Sequence, residues 1–362
     1  MLINLIHILV FTSFLFLSFI IFSNPLKVNK KANIWFGFFL LLWATFWLDE
    51  ILILVKAKPL GTISNLILYF FQFLTPIILY LSIVFFTNPN YKFSRKDFTY
   101  LIFPTIYLFL LFYYKPNLTT SILIIFLISH ALFYALKSYF KIHKHQQQIA
   151  LFSSNTFDIN LKWLEHIILG ILFISIIITI FNLFYFGLPL NLYINIIMLF
   201  TAYFISYNAL KQKEIFPKEK YRDEIITINT TEANNQISAK RKLVSDSELI
   251  EFKSQLIHLV TEEELYLNHE INLASLSEKL EVTPHQLSYI LNNGLKQNFF
   301  QFINSYRVER AKVLLLKKSS EKLTILGIAY ASGFSSKTAF NTTFKKFTNQ
   351  TPSQYKKQHS VL

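Results

Sequence analysis

Thr324-Ile325-Leu326-Gly327-Ile328-Ala329-Tyr330-Ala331-Ser332-Gly333-Phe334-Ser335-Ser336-Lys337-Thr338-Ala339-Phe340 reads as a short helix, a glycine turn and a second helix. Ile325, Ile328 and Ala329 share one helical face by three- and four-residue spacing. Gly333 supplies the positive φ for a sharp turn. Ser335 then serves as N-cap of a helix running to about Lys346. On that helix Phe340 and Phe344 point inward, while Ser336, Lys337, Asn341, Thr342 and Lys345 are left outside. A short helix crossed by a polar, basic one is the helix-turn-helix plan for entering a DNA major groove.

The rest of the chain is read around that unit. Of its 362 residues 53% are apolar, 39 are Phe and only 15% are charged, against about 25% charged in an ordinary soluble domain. The apolar residues concentrate in 1–210, and 211–362 is polar and basic, so a membrane part precedes a soluble part. The net charge of +14 has two sources: basic loops at a cytoplasmic membrane face and nucleic-acid contact. After Thr283, twelve Lys or Arg stand against only Glu309 and Glu321. With no cysteine there is no disulfide, thiol chemistry or cysteine-type zinc site.

Seven segments approach the roughly 20 apolar residues that cross a bilayer: 2–22, 34–55, 63–86, 98–114, 118–140, 163–186 and 188–210. The first has neither a basic start nor a small-residue cleavage site, so it is read as a span rather than a signal peptide. Lys27, Lys30 and Lys31 follow the first span, and Lys92, Arg95 and Lys96 the third. Lys137, Lys141, Lys144 and Lys162 surround the fifth-to-sixth loop, and Lys211, Lys213, Lys218 and Lys220 follow the seventh. The other ends carry only Lys56, Lys58 and Lys115. The positive-inside rule puts the N-terminus outside and the C-terminus in the cytoplasm.

Within the spans, Asp49 and Glu50 interrupt an apolar run and lie roughly 22 Å from the inner face at ~1.5 Å per residue. Ionisable groups at depth face a cavity or a partner. One reading is a ligand pocket open to the outside, formed by Asp49, Glu50, Gln72 and His130, with Asn182, Asn195 and Asn208 in reserve. The other is bonding between neighbouring helices, or pairing with Lys56 or Lys58. Pro76 and Pro104 read as kinks. His143-Lys144-His145 reads as a solvated basic loop rather than a metal site. Metalloprotease, P-loop, nucleophile-elbow and kinase patterns are absent, so no enzyme and no cofactor is expected.

Residues 211–245 have no sustained apolar period and read as a linker. Ser245 or Asp246 opens an amphipathic helix with Leu249, Phe252, Leu256, Leu259 and Val260 on one stripe. A first helix-turn-helix follows, with Leu273, Leu276 and Leu280 on one helix and Thr283-Pro284-His285-Gln286 starting the next. Leu287, Ile290 and Leu291 face inward, leaving His285, Gln286, Ser288, Tyr289 and Asn292 outward. A helix from about Phe299 to Lys317 joins the two units, and Thr351-Pro352-Ser353-Gln354-Tyr355 starts a last short helix.

Residues 246–358 resemble the DNA-binding domain of the AraC/XylS family of bacterial transcription regulators. The resemblance rests on Tyr306-Arg307-Val308-Glu309-Arg310-Ala311-Lys312, on Ile328-Ala329-Tyr330-Ala331-Ser332-Gly333-Phe334, on Phe340-Asn341 with Phe344-Lys345-Lys346, and on Thr351 to Tyr355. It implies two helix-turn-helix units reading successive major-groove segments from one face of the duplex. It also implies that the recognition helices begin near Pro284 and Ser336. The family usually has glycine at Lys296 and Asn349. Asn tolerates the left-handed conformation, whereas Lys296 implies a loop built differently, around Gly294. Members with a membrane-embedded N-terminal half exist, and the seven-span layout resembles theirs in architecture.

Among outward residues, Gln286, Asn292 and Asn341 suit adenine edges and Lys337 suits guanine. Ser335, Thr338, Lys345 and Lys346 suit phosphates, and Arg307 and Arg310 suit a structural or phosphate role. The expected protein is all-α: a seven-helix transmembrane bundle over 1–210, possessing a sensory role, a cytoplasmic linker over 211–245, and a DNA-binding domain over 246–362. It reads as a bacterial inner-membrane one-component regulator whose partners are double-stranded DNA, membrane lipid, an unknown signal, a second copy in a homodimer and, for an activator, RNA polymerase. The alternatives are a transporter or channel with a DNA-binding tail, and a passive anchor from which proteolysis frees the regulator.

Overall fold

The computed structural model describes residues 2–112, 118–184, 191–216, 222–231, 243–317 and 323–359. Their regular structure is helical, with one isolated bridge between Ser153 and Asn272. The chain divides into two compact units. The first comprises Met1–Lys144 and Leu161–Ile215, the second 145–160 and Phe216–Leu362.

The first unit holds α1 (Leu2–Ser23), α2 (Lys30–Ala44), α3 (Leu48–Leu54), α4 (Thr62–Phe73), α5 (Thr75–Thr87), α6 (Ile102–Phe112), most of α7 (Leu118–Gln148), α8 (Lys162–Phe184) and α9 (Asn191–Lys211). A 3₁₀ turn over Thr45–Trp47 separates α2 from α3, and the helix restarts at Pro76, where the missing N–H is least costly. Among the described residues five stretches are long and apolar enough to cross a membrane: Leu2–Ser23, Lys30–Leu54, Thr62–Thr87, Ile125–Leu151 and Leu192–Lys211. The expected sixth span falls on α8, which is 23 residues long. The expected fourth resolves into a 3₁₀ segment, Arg95–Leu101, and the 11-residue α6; its last residues lie outside the described ones.

Close helix contacts in this unit come from small and polar groups. Ser18 Oγ donates to the Gly37 carbonyl at 2.9 Å. A Cβ at Gly37 would lie 2.8 Å from the Phe22 ring, so glycine is what lets α1 and α2 approach. Trp47 Nε1 donates to Asn195 Oδ1 at 2.8 Å, which gives Asn195 the interhelical role. Asn208 bonds its own helix at the Phe204 carbonyl, and the Asn182 side chain lies outside the described residues. The start of α2 is tied to the end of α9: Asn29 N donates to Glu214 and its amide donates to the Lys213 carbonyl, at 2.7 and 2.9 Å.

The second unit holds α10 (Arg222–Thr231), α11 (Asp246–Glu262), α12 (Leu273–Lys279), α13 (Pro284–Tyr289) with a π-helical turn over Ile290–Leu295, α14 (Phe299–Leu316), α15 (Ile325–Ala331), α16 (Lys337–Thr348) and α17 (Pro352–His359). Reciprocal capping boxes open α11 (Ser245 with Glu248), α12 (Asn272 with Ser275), α13 (Thr283 with Gln286) and α14 (Asn298 with Gln301); each such cap contributes about 1 kcal/mol. The stretch expected to be an unpatterned linker contains α10, whose Ile225, Ile226 and Ile228 are buried.

Three local expectations are corrected. The N-cap of α16 is Ser336, not Ser335: its extended backbone lets its hydroxyl accept from Ala339 N at 3.2 Å. Lys296 itself adopts the left-handed conformation, φ 55°, as Asn349 does at φ 59°, so no rebuilt turn at Gly294 is needed. Gly294 serves packing instead, because a Cβ there would sit 3.3 Å from Leu249 of α11. His143-Lys144-His145 lies within α7 rather than in a solvated loop; His145 is buried and its Nε2 lies 3.0 Å from the Ile159 carbonyl.

Gly333 is bound by two constraints. Its φ is +85°, and a Cβ would come within 2.8 Å of the Leu267 Cα and closer still to the Tyr266 carbonyl, both backbone. Gly333→Ala should therefore destabilise the second unit by at least ~2 kcal/mol. Hydrogen exchange of the full-length protein should show faster exchange across 325–348 with α1 and α2 unchanged.

Candidate nucleic-acid interface

The second helix-turn-helix is built on a core of Val308, Ala311 and Leu315 from α14, Ile328 and Ala329 from α15, and Phe334, Phe340 and Phe344. With Ala339, Phe340, Thr343 and Phe344 buried, α16 turns the opposite face outward. Lys337, Thr338, Thr342 and Lys345 are exposed, and Ser336 and Asn341 half-buried. Lys345 and Lys346 occupy the last turn, where cations suit the helix dipole. The Lys346 ammonium also lies 5.0 Å from the Phe300 ring centroid, which shares it between α14 and any outside anion.

The first helix-turn-helix is more covered. Leu287 and Leu291 are buried, as the pattern requires. Ser288 is buried too, at 5% exposure, since it falls on the Pro284–Leu287–Leu291 stripe; it does not face outward as expected. His285, Gln286, Tyr289 and Asn292 are half-buried. The Gln286 carboxamide oxygen accepts from Thr283 N at 2.9 Å. Its cap role thus leaves only the amide N–H groups for reading a base. Asn292 sits in the π-helical turn, with its amide 3.4 Å from Ser288 Oγ.

Between the units lies a residue whose importance the sequence understates. Arg307 of α14 is 1% exposed. Its Nε donates to the Tyr266 carbonyl at 2.6 Å, Nη2 to the Asn268 carbonyl at 2.8 Å and Nη1 to Asn304 Oδ1 at 3.3 Å. Its guanidinium also lies 5.8 Å from the Phe334 ring centroid. Burial pulls its pKa down to about 9, which leaves it cationic at neutral pH. Arg307 is therefore structural and unavailable to phosphate, whereas Arg310 is exposed.

With this geometry in view, the chain was compared with known proteins. Residues 276–358 match the family described as a helix-turn-helix domain. The C-terminal part carries a helix-turn-helix domain. That domain is 39% identical over 93 residues to uncharacterized HTH-type transcriptional regulators of Staphylococcus aureus strains COL and N315. The match covers 26% of this chain and 12% of each relative. It is 32% identical over 89 residues to the uncharacterized HTH-type transcriptional regulator YijO of Escherichia coli, covering 24% of this chain and 30% of that protein. The chain thus spans well under two thirds of these relatives, and the likeness lies in the helix-turn-helix domain. No solved structure matches.

The first unit contains a separate candidate site, a cavity of about 640 Å³ with a mostly apolar lining from α2, α4, α5, α7 and α8. Gln72 and His130 line it; Asp49 and Glu50 do not. Asp49 is exposed on α3, and Glu50 has one buried carboxylate oxygen without a partner. Gln72 donates to the Thr45 carbonyl at 3.0 Å, satisfying the backbone where α2 breaks. His130 stacks on Phe73 at 4.0 Å between ring centroids and is 1% exposed, with Nε2 unpartnered. Among the described residues no group of three His, Cys, Asp or Glu could hold a metal.

Removing the Arg307 side chain would leave the carbonyl of buried Tyr266 without its donor and the Asn268 carbonyl with Ile271 N alone. Arg307→Ala should cost roughly 3 kcal/mol or more, read as loss of exchange protection in both helix-turn-helix units, whereas Arg310→Ala should stay within about 0.5 kcal/mol.

Proposed function

We propose that this protein is a membrane-bound one-component transcription regulator. Its seven-span half holds the helix-turn-helix domain at the cytoplasmic face, and a signal received in the membrane half alters DNA binding. The observation that carries this reading is the pairing, in one chain, of two opposite surfaces. The helix-turn-helix domain presents Lys337, Thr338, Thr342 and Lys345 to solvent. The membrane half presents Phe16, Phe173 and Phe200 at 65%, 64% and 69% exposure. Such an outward apolar surface suits lipid rather than water.

On this reading α16 reads bases with Lys337 and Asn341, while Thr338, Thr342, Lys345 and the N-terminus of the helix grip phosphates. α13 offers His285, Gln286, Tyr289 and Asn292 to a neighbouring groove segment. A homodimer on paired half-sites would raise avidity, and an activating form would contact RNA polymerase. The cavity is the place for the signal. Its volume falls in the usual range for small ligands, and its lining suits an apolar molecule bearing one hydrogen-bonding group for His130 Nε2.

Chromatin occupancy of the full-length protein should show discrete sites that vanish or move in a Lys337→Ala, Asn341→Ala double variant. Identical occupancy in the two would remove α16 from the reading head. In vitro, Lys345→Gln should lower the slope of log affinity against log salt by about 0.9, the loss of one phosphate contact. Topology has its own check, because the chain lacks cysteine. Lys58→Cys should be labelled by a membrane-impermeant maleimide added outside intact cells, and Lys96→Cys should be shielded.

A further inference from the structure

The segment 145–160 follows the body of α7 and precedes α8, yet it folds as part of the second unit. His145 Nε2 and the Ile159 carbonyl, 3.0 Å apart, close its neck. Ile149 and Phe152 are buried at 1% and 2% exposure. Leu161, which directly follows, holds a left-handed φ of 54°, unusual for a bulky side chain.

This segment touches the start of α12, the middle of α14 and the turn before α16. The Phe152 carbonyl accepts from Leu273 N at 2.9 Å, satisfying a backbone donor at the first turn of α12. Ser153 bridges Asn272, and Ser154 Oγ donates to the Ile271 carbonyl at 2.9 Å. The Ser154 carbonyl accepts from the buried Asn304 amide of α14 at 2.9 Å. Asn155 Nδ2 donates to Ser335 Oγ at 2.8 Å, one residue before the cap of α16. Asn304 in turn accepts from Arg307, so the segment joins the network that holds the two helix-turn-helix motifs together.

A second contact reaches the first recognition helix. The 3₁₀ turn Ile149–Leu151 packs against both α14 and α10, and α10 packs against α13. Phe216, leading into α10, stacks on Phe152 at 5.4 Å. The two recognition helices differ in exposure: His285, Gln286, Tyr289 and Asn292 of the first are half-buried, while Lys337, Thr338, Thr342 and Lys345 of the second are exposed.

We propose that the segment 145–160 and α10 form an intramolecular clamp on the helix-turn-helix domain, which covers the first recognition helix and lowers affinity for DNA until the clamp is released. The occupant of this docking surface is the chain itself, and the segment's ends continue directly into α7 and α8, both of which line the membrane cavity. A shift between those helices would pull on the segment's two ends, and Asn155 and Phe152 are the contacts it would break. The proposal rests on the DNA-binding reading of α13 and α16.

The test uses full-length protein in nanodiscs and a pool of random-sequence duplex DNA at fixed salt. Asn155→Ala and Phe152→Ala loosen the segment, and Ile225→Asp detaches α10. Tyr289→Cys, the single thiol in an otherwise cysteine-free chain, reports access to α13 by its maleimide labelling rate. If a clamp closed in about nine molecules of ten is released, DNA affinity rises roughly 10-fold. Tyr289→Cys is labelled several-fold faster in the Ile225→Asp background. Faster labelling with unchanged DNA affinity would overturn the brake, and unchanged labelling would overturn the covering of α13. Weaker DNA binding in the mild Asn155→Ala variant, with α16 still protected from exchange, would make the segment a brace and sink the clamp. Lys337→Ala with Lys345→Ala separates the two readings. If that pair leaves DNA affinity unaltered, the DNA-reading face itself fails, whatever the labelling shows.

Discussion

A single buried guanidinium sets the architecture of the helix-turn-helix domain. Arg307 gives its Nε and both terminal nitrogens to the carbonyls of Tyr266 and Asn268 and to Asn304. Taking a guanidinium out of water costs several kcal/mol, offset only when its donors are matched. The match is directional. The two carbonyls belong to the chain between α11 and α12, and the arginine belongs to α14, so the first helix-turn-helix is held at a fixed angle to the helix that carries the second helix-turn-helix. Gly333 enforces the same approach from the other side, since only a residue without Cβ fits against Leu267 and the Tyr266 carbonyl. Two helix-turn-helix units joined by apolar packing alone could slide; these polar contacts have one register.

How much of this was legible in the sequence depends on where the signal lies. The cap at Thr283 and the apolar positions Ile328, Phe340 and Phe344 carry their meaning in local spacing, and the structure follows them. Arg307 looks like any exposed charge on an amphipathic helix, because its partners are backbone carbonyls that leave no trace in residue type. The same holds for the segment 145–160, where three of the bonds into the helix-turn-helix domain run to or from main-chain atoms. Lys296 misled for a different reason. A left-handed backbone favours glycine but does not require it, and the preceding π-helical turn delivers the chain to φ 55° with lysine in place. In α10, three isoleucines within four residues are too brief a pattern to stand out from a polar surround.

The apolar unit follows a separate logic. Its helices expose large apolar side chains and meet through small residues and single hydrogen bonds: Ser18 on Gly37, Trp47 on Asn195, Gln72 on the Thr45 carbonyl. Each bond satisfies a polar group that apolar surroundings could not. His130 departs from that rule, since its Nε2 is buried without a partner beside a cavity. An unmet polar atom at such a site costs about 1–3 kcal/mol, and a ligand able to bond it would recover that amount on binding. Asp49 and Glu50 are conspicuous in the sequence as charge in an apolar run; Gln72 of α4 and His130 of α7, far apart in sequence but lining one cavity, are the less visible pair.

On the proposed reading, a basic DNA-binding domain tied to a membrane faces a constraint that a free one does not. Sequence-independent attraction to phosphate is long-ranged and holds with dissociation constants of roughly 10⁻⁴–10⁻⁶ M at physiological salt. Twelve cations against two acids after Thr283 would engage whatever duplex lies within reach, regardless of signal. Control must then act on the reading face rather than on delivery to DNA. Covering one recognition helix while leaving the other free does this economically. Two helices on one rigid frame bind cooperatively, so blocking α13 forfeits the joint affinity although α16 stays competent. The rigidity that Arg307 imposes is what makes the coverage effective, because a flexible joint would let α16 engage DNA without regard to its neighbour.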